Sequence, residues 1–370
     1  MILKDEDFSS CLSFTALDIV PRQIEQVVRS NLKTSDMVKR PYSILENGEV
    51  KIELFFPRAH TVSAFINKEL FEFEREGEYF TKTLPLQQGL SSIVVLLDGN
   101  PVLYPYLPIA FGHNQPMNFI RLPFREYCEI SDHVPHGSVT AFFIPNSVTG
   151  RMSRIQVYLP PDHRREDKTD VLFLQHGFGE NDISWVGEAR VNFILDNLIS
   201  SGRTTPLMVV MADGMLRKID EEGNIRIFIP EFKDYLLNDI IPFIRERFNP
   251  GKYFIAGLSM GSIQASICGL EHPEFFSGIG LFSGFVNDYL SGYCEHVKPE
   301  NFEKLEQRNI PFFRGIGDSD RYMSEFLKDD RCLESLKFRH ERRIYSGNHE
   351  WNVWIEMIVD FLDLIEKGRK

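Results

Sequence analysis

Tyr253-Phe254-Ile255-Ala256-Gly257-Leu258-Ser259-Met260-Gly261-Ser262-Ile263-Gln264-Ala265-Ser266-Ile267 passes from an apolar run of strand character into a stretch of helical character. Between them stands a serine with glycines two residues to either side. A serine on such a sharp strand-to-helix turn has its hydroxyl held clear of the sheet. The flanking glycines are needed because the backbones there pass too closely for a Cβ atom. A five-residue GxSxG pattern also arises by chance, so its reading depends on the surrounding elements and on the partners available to Ser259.

The elements around it alternate. Strand-like runs are expected over 138–144, 154–159, 170–175, 207–212, 253–256, 278–282, 311–316 and 338–345. Val191, Ile194, Leu195 and Leu198 form an apolar stripe at helical spacing, closed by Gly202. Further helices are expected over 231–248, kinked at Pro242 where a backbone donor is missing, and over 350–365. Apolar strands alternating with helices predict an α/β fold, its mainly parallel sheet covered on both faces. The first two runs predict an antiparallel edge hairpin turning through 146–150.

Upstream the texture differs. Short β segments over 50–56, 62–66, 78–84 and 92–97 are separated by Pro57, Asn67, Gly77, Gly89 and Asp98-Gly99-Asn100. They predict a small all-β sandwich, preceded by a short helix over 21–30 and followed by irregular connecting chain over 104–116. Two domains are therefore expected, residues 1–125 and 126–370.

A formal charge of −12 disfavours nucleic acid and anionic membranes as partners, because phosphate backbones require a cationic surface. The acidic opening Met1-Ile2-Leu3-Lys4-Asp5-Glu6-Asp7 lacks the basic and then apolar pattern of a leader, and no segment is apolar enough to span a bilayer. A cytoplasmic location is expected. Cys11, Cys128, Cys268, Cys294 and Cys332 are odd in number and scattered, which signals neither a zinc site nor a disulfide framework. HExxH and the P-loop are absent, and the nearest approach to GxGxxG, Gly278-Ile279-Gly280, has Ser283 in place of its third glycine. No metal or cofactor is expected.

In open parallel sheets the reactive groups gather beyond the carboxyl ends of the strands, so the partners of Ser259 are sought there. A serine hydroxyl needs an adjacent base, usually a histidine oriented by a carboxylate. Of ten histidines, His349 alone follows the last strand directly and precedes the last helix. After the preceding strand, Gly317-Asp318-Ser319-Asp320 offers two carboxylates. Asp320 is the expected partner of His349 and Asp318 the alternative, the other capping the next helix. The order Ser, Asp, His is that of α/β-hydrolases. Leu174-Gln175-His176-Gly177-Phe178-Gly179 ends an earlier strand with glycines that free backbone amides. The Phe178 and Met260 N–H groups are the expected oxyanion donors. His176 is read as bracing that loop.

The second domain resembles the feruloyl and acetyl-xylan esterases of the first carbohydrate esterase family, close relatives of esterase D. The residues that carry the likeness are His176-Gly177-Phe178-Gly179 with Trp185, Met211-Ala212-Asp213-Gly214, the serine turn, 317–320, and Gly347-Asn348-His349-Glu350-Trp351 with Trp354. The first domain is similar to early-set immunoglobulin-like modules, through the Phe56-Pro57-Arg58-Ala59 and Leu97-Asp98-Gly99 turns. The resemblance implies a cofactor-independent serine esterase acting on small-molecule or oligosaccharide esters. It favours a hydroxycinnamate such as ferulate on plant-wall oligosaccharides, with acetyl-xylan second. Phe178, Trp185 and Trp351 are the aromatic candidates for substrate contact. Iron-siderophore esterases share the architecture, but an anionic ferric catecholate fits poorly with the −12 charge. A carbohydrate-binding protein with a dead hydrolase domain would be expected only if a triad position were lost. Two departures from the family stand out: Ser262, where many relatives carry glycine, and an extra polar loop over 215–227. The first domain is read as structural, the place where two copies would pair, although Tyr104, Tyr106 and Phe111 offer rings for sugar stacking.

Overall fold

The computed structural model describes residues 40–112, 114–219, 222–286 and 298–368. The helix expected over 21–30 lies outside these residues, as do Cys11, Cys294, His113 and His296. The chain separates into two compact units, Met1–Ile130 and Ser131–Lys370.

Among the described residues of the first unit every strand pairing is antiparallel. Strands β1 (Tyr42–Ile44), β2 (Val50–Phe55), β6 (Tyr79–Leu84) and β5 (Glu74–Glu76) form one sheet in that order. Strands β4 (Glu69–Glu72), β3 (Val62–Ile66), β7 (Gly89–Leu97), β10 (Gln115–Leu122) and β9 (Ile109–Gly112) form the other, with β8 (Asn100–Val102) on β7. The alternation seen in the sequence is the packing. Val50, Ile52, Leu54 and Phe80 of one sheet share a core with Val62, Ala64, Ile93, Val95 and Ile120 of the other.

Two of the strands lie where irregular chain was expected. Residues 109–122 fold into the β9–β10 hairpin, although Pro105, Pro108, Gly112 and Pro116 punctuate the sequence there. A buried side chain replaces the missing local signal: Asn118 accepts the Tyr104 N–H at 2.7 Å and donates to the Tyr104 carbonyl at 2.9 Å. Tyr104 itself is buried in this core, and its hydroxyl accepts the Phe55 N–H at 3.0 Å. It is core, and its ring is unavailable for sugar stacking. Asp98 joins the two turns of the sandwich by accepting the His60 and Thr61 amides at 2.8 and 2.7 Å.

The second unit is built on an eight-stranded mixed sheet. Its strands are β11 (Ser138–Asn146), β12 (Arg151–Leu159), β14 (Leu207–Ala212), β13 (Lys168–Gln175), β17 (Asn249–Leu258), β18 (Phe276–Phe282), β19 (Phe312–Gly317) and β20 (Glu341–Tyr345), in that order. The β11–β12 and β12–β14 pairings are antiparallel and the others parallel. β14 is buried along its whole length, as a strand covered by helices on both faces must be. β20 begins at Glu341, so His340 precedes the strand rather than lying in it. The edge position of β20 is blunted by charge: Arg343 pairs with Asp360 at 2.6 Å and Arg342 with Asp330 at 2.8 Å.

Helices α1 (Ser184–Gly187), α2 (Val191–Ser200), α3 (Phe232–Tyr235), α4 (Ile241–Arg247), α5 (Met260–Glu271), α6 (Pro299–Gln307), α7 (Met323–Ser335) and α8 (Trp351–Lys367) accompany the sheet. The kink expected at Pro242 takes the form of a π-helical turn, Leu236–Ile240, between α3 and α4. Pro242 is the second residue of α4, directly after this turn, in a helix whose backbone stays helical from Phe232 onward. The extra polar loop over 215–227 carries a small hairpin, β15 (Arg217–Ile219) paired with β16 (Ile225–Ile227), whose three-residue strands are too short to leave an alternating pattern in the sequence.

Candidate active site

β17 delivers Ser259 to α5 through backbone angles of φ 51° and ψ −116°, a conformation that L-residues avoid. The glycines allow it. A Cβ on Gly257 would run into the carbonyl of Gly261, and one on Gly261 would stand 2.6 Å from the His176 carbonyl and 2.7 Å from that of Gln175. The Ser259 N–H donates to the Phe282 carbonyl at 2.9 Å, fastening the turn to the end of β18. Ser262 donates its hydroxyl to the Ser259 carbonyl at 2.6 Å. Its side chain fills the space where a Cβ on Gly284 would stand, so the departure at Ser262 is accommodated by a glycine elsewhere.

The loops after β17, β19 and β20 bring three side chains into one chain of hydrogen bonds. The Ser259 hydroxyl lies 3.0 Å from His349 Nε2, and His349 Nδ1 lies 2.8 Å from Asp320 Oδ2. With a carboxylate against Nδ1, the neutral ring carries its proton there and leaves Nε2 as acceptor for the serine proton. Tyr322 and Trp354 meet the His349 ring edge-on from two directions, with centroids 5.1 and 5.0 Å away. Burial opposes the charge on Asp320. The hydrogen bond and charge of His349, with the Tyr322 amide at 3.0 Å, nevertheless hold its carboxyl below the usual range. Ser283, just after β18 with φ 45°, lies near enough to that carboxyl to favour its charged form. Nothing in the sequence around Ser283 distinguishes it from a turn serine.

Asp318 does different work. It is exposed and accepts the Gly347 N–H at 3.1 Å and the Ser319 hydroxyl at 2.9 Å, contacts that hold its carboxyl below the usual range. It therefore ties down the loop ahead of His349 instead of capping the next helix. α7 starts at Met323 without any side-chain cap.

The loop after β13 passes beside the serine: a Cβ on Gly177 would come within 3.5 Å of Ser259 Cβ. His176, fully buried, sets its course. Nε2 accepts the Gly214 N–H at 2.9 Å and Nδ1 donates to the Gly177 carbonyl at 2.8 Å, which fixes a neutral tautomer. Gly179 turns the loop at φ 81°. The Phe178 N–H makes no hydrogen bond to another described residue. Met260 is the first residue of α5, so its N–H has no intrahelical acceptor. Both are therefore available as donors beside Ser259.

The aromatic candidates divide. Phe178 is 57% exposed. Trp185 is 1% exposed, donates its indole N–H to the Gln175 carbonyl at 3.0 Å, and packs edge-on against Trp351 with centroids 5.2 Å apart. Trp185 is a core residue that supports the loop, and the expectation of substrate contact there does not hold. Trp351 is half-buried between Trp185 and Trp354. Among the described residues no cluster of three or more His, Cys, Asp or Glu side chains is placed to hold a metal ion.

The sequence profile of the Esterase family matches residues 146–364, more than half of the chain, and spans every residue of this site. The chain belongs to the Esterase family. The esterase is 28% identical over 282 residues to an endo-1,4-beta-xylanase/feruloyl esterase of Xylanibacter ruminicola. That match covers 73% of the chain and only 37% of the relative, so the esterase spans about a third of that protein's length. A CE1 ferulic acid esterase of Anaeromyces mucronatus, solved with ferulic acid, superposes with a TM-score of 0.57 at 18% identity, over 66% of this chain and 97% of that one. The enterobactin esterase of Shigella flexneri gives 0.59 at 14% identity, over 90% of this chain and 97% of that one. At such identities these structures establish the α/β-hydrolase fold. Among the described residues of the esterase, no helix is long and apolar enough to cross a membrane.

Proposed function

We propose that Ser259 is the nucleophile, His349 the general base and acid, and Asp320 the residue that orients His349. The observation that carries this reading is the unbroken hydrogen-bond chain from Ser259 Oγ through His349 to Asp320. In the proposed reaction Ser259 Oγ attacks the ester carbonyl carbon as its proton passes to His349 Nε2. The Phe178 and Met260 N–H groups hold the tetrahedral oxyanion. Collapse breaks the bond to the leaving alkoxide, which takes the proton from His349. Water then attacks the acyl-serine, His349 again removing and returning one proton, and the carboxylic acid leaves.

The substrate we propose is a hydroxycinnamoyl ester, such as a feruloyl group, on plant-wall oligosaccharides. Two observations support it: the identity shared with an endo-1,4-beta-xylanase/feruloyl esterase over most of this chain, and the exposed Phe178 ring on the loop that passes beside the serine, an apolar face for an aryl group. The test is kcat/KM on methyl ferulate against acetylated xylo-oligosaccharide, with Ser259→Ala as control. A higher value on the acetylated sugar would move the reading to acetyl-xylan. Ser259→Ala hydrolysing either ester at the wild-type rate would sink the mechanism, as would failure of the wild type to label rapidly with a fluorophosphonate.

A second reading is a siderophore esterase, favoured by the enterobactin esterase likeness, whose 90% coverage extends into the first unit. The −12 charge opposes it, because the ferric catecholate it would hydrolyse is itself anionic. Hydrolysis of a ferric catecholate ester faster than of methyl ferulate would favour it. For the first unit we propose an early-set immunoglobulin-like module with a structural, dimer-forming role.

A further inference from the structure

Glu180 is a carboxylate in the floor of the site that the proposed chemistry does not use. It is buried, three residues after Gly177, and its Oε2 accepts the Gly177 N–H at 2.8 Å. The Trp351 indole is the other polar group near it that favours its charged form. Gly177 immediately precedes Phe178, and Trp351 stands two residues after His349 at the start of α8. One side chain thus joins the loop that presents the oxyanion donor to the loop that presents the base. From the serine-histidine-aspartate reading proposed above, we infer that Glu180 is a positioning residue for acyl transfer, its ionised carboxylate holding the Phe178 amide and His349 in mutual register.

The ionised form is the one that suits both partners, since each carboxylate oxygen can accept one N–H. A neutral acid spends one oxygen as a donor. Burial pushes the Glu180 carboxyl up to about 7, against the opposing pull of the Gly177 amide and the Trp351 indole. The sign follows: as pH falls through about 7 the carboxyl takes up a proton, one N–H loses its acceptor, and the two loops loosen. The surrounding charges are few. His176, from the same loop, is fixed by Gly214 and stands 3.4 Å from Asp213, which in turn lies 3.9 Å from Arg217. On the α8 side Glu350 turns back to accept the Asn348 amide at 3.2 Å, and His349 is paired with Asp320. Glutamine keeps the shape of Glu180 but presents an NH2 group to one of two N–H donors.

The experiment has two readouts on the full chain. The first is kcat and KM on p-nitrophenyl acetate from pH 5 to 9 for wild type, Ser259→Ala and Glu180→Gln. Glu180→Gln is expected to lower kcat about 10- to 100-fold with KM little changed, as misplacement of reacting groups does, and to remove one ionisation from the acid side of the profile. The second is tryptophan emission against pH in the Ser259→Ala protein, where the three tryptophans are Trp185, Trp351 and Trp354. A transition near pH 7 is expected, absent when Glu180→Gln or Trp351→Phe is added. A wild-type kcat and pH profile in Glu180→Gln overturns the inference. So does emission that is flat with pH in Ser259→Ala, a result that does not depend on Glu180→Gln folding. If wild type and Ser259→Ala have equal activity, the catalytic reading fails instead, and the emission transition still reports whether Glu180 titrates beside Trp351.

Discussion

At the scale of single residues, the two aspartates two positions apart have separate tasks. Asp320 is buried against His349, and Asp318 lies at the surface against the Gly347 amide. Asp320→Asn should cost about ten-thousand-fold in kcat, because an amide favours the wrong histidine tautomer, while Asp318→Asn should change kcat only a few-fold. Steady-state kinetics on p-nitrophenyl acetate checks both, and equal losses would contradict the assignment. Asp320 also links stability to pH. Its folded carboxyl is held below the ordinary value of 3.8, so its stabilisation is present above that value and disappears as pH falls through the folded one. The difference in urea midpoint between wild type and Asp320→Asn should therefore narrow in acid. The sequence narrowed the acid to these two residues. Burial made the choice, because only the Asp320 side chain turns inward toward the histidine.

At the scale of elements, close backbone approach is what the glycines permit. Gly261→Ala would put a Cβ 2.7 Å from the Gln175 carbonyl oxygen, which belongs to β13 and cannot yield, and 2.6 Å from that of His176. We expect a loss of about 2 kcal/mol or more in urea denaturation, with activity falling alongside. The sequence pattern announced this, since nothing but glycine fits either side of such a turn. β19 carries a feature that it did not announce. Arg314 is fully buried, donating to Asp330 at 2.6 Å and to the Phe326 carbonyl at 3.1 Å, with its guanidinium 4.1 Å from the Phe326 ring centroid. Burial lowers its affinity for a proton, and Asp329 and Asp330 oppose that. Arg314→Ala leaves two carboxylates beneath α7 without this partner and should cost about 3–5 kcal/mol. Arg314→Met, which fills the volume but not the charge, should lose a comparable amount; if it matched wild type in denaturation, the ion cluster would be dispensable.

At the scale of the molecule, each unit has its own core. The sandwich of residues 40–130 closes around Val50, Ile52, Ala64 and Ile93, and the hydrolase around its eight-stranded sheet. A protein starting at Ser131 is expected to fold and to keep kcat on p-nitrophenyl acetate within a few-fold of the full chain. Under the proposed structural role of the first unit, its native mass in sedimentation should fall from dimer to monomer. Unchanged mass, with loss only of oligosaccharide affinity, would give the sandwich a glycan-binding role instead.

The order of elements and the residues that gather at the strand ends were legible in the chain, because period-two and helical apolar spacing, glycine turns and the Ser-Asp-His order are local signals. The same locality hid the β9–β10 hairpin, whose pairing rests on the buried Asn118, and the π turn before Pro242. It also hid the burial of Trp185, since an apolar ring reads alike whether it faces ligand or core. Glu180 and Ser283 escaped for one reason: their meaning lies in partners far away in sequence. The residues by themselves determined that a serine, a histidine and two carboxylates would gather beyond the strand ends. Tertiary packing alone decided which carboxylate faces the histidine and which side chain joins the two loops, because those choices depend on which groups are taken out of water together.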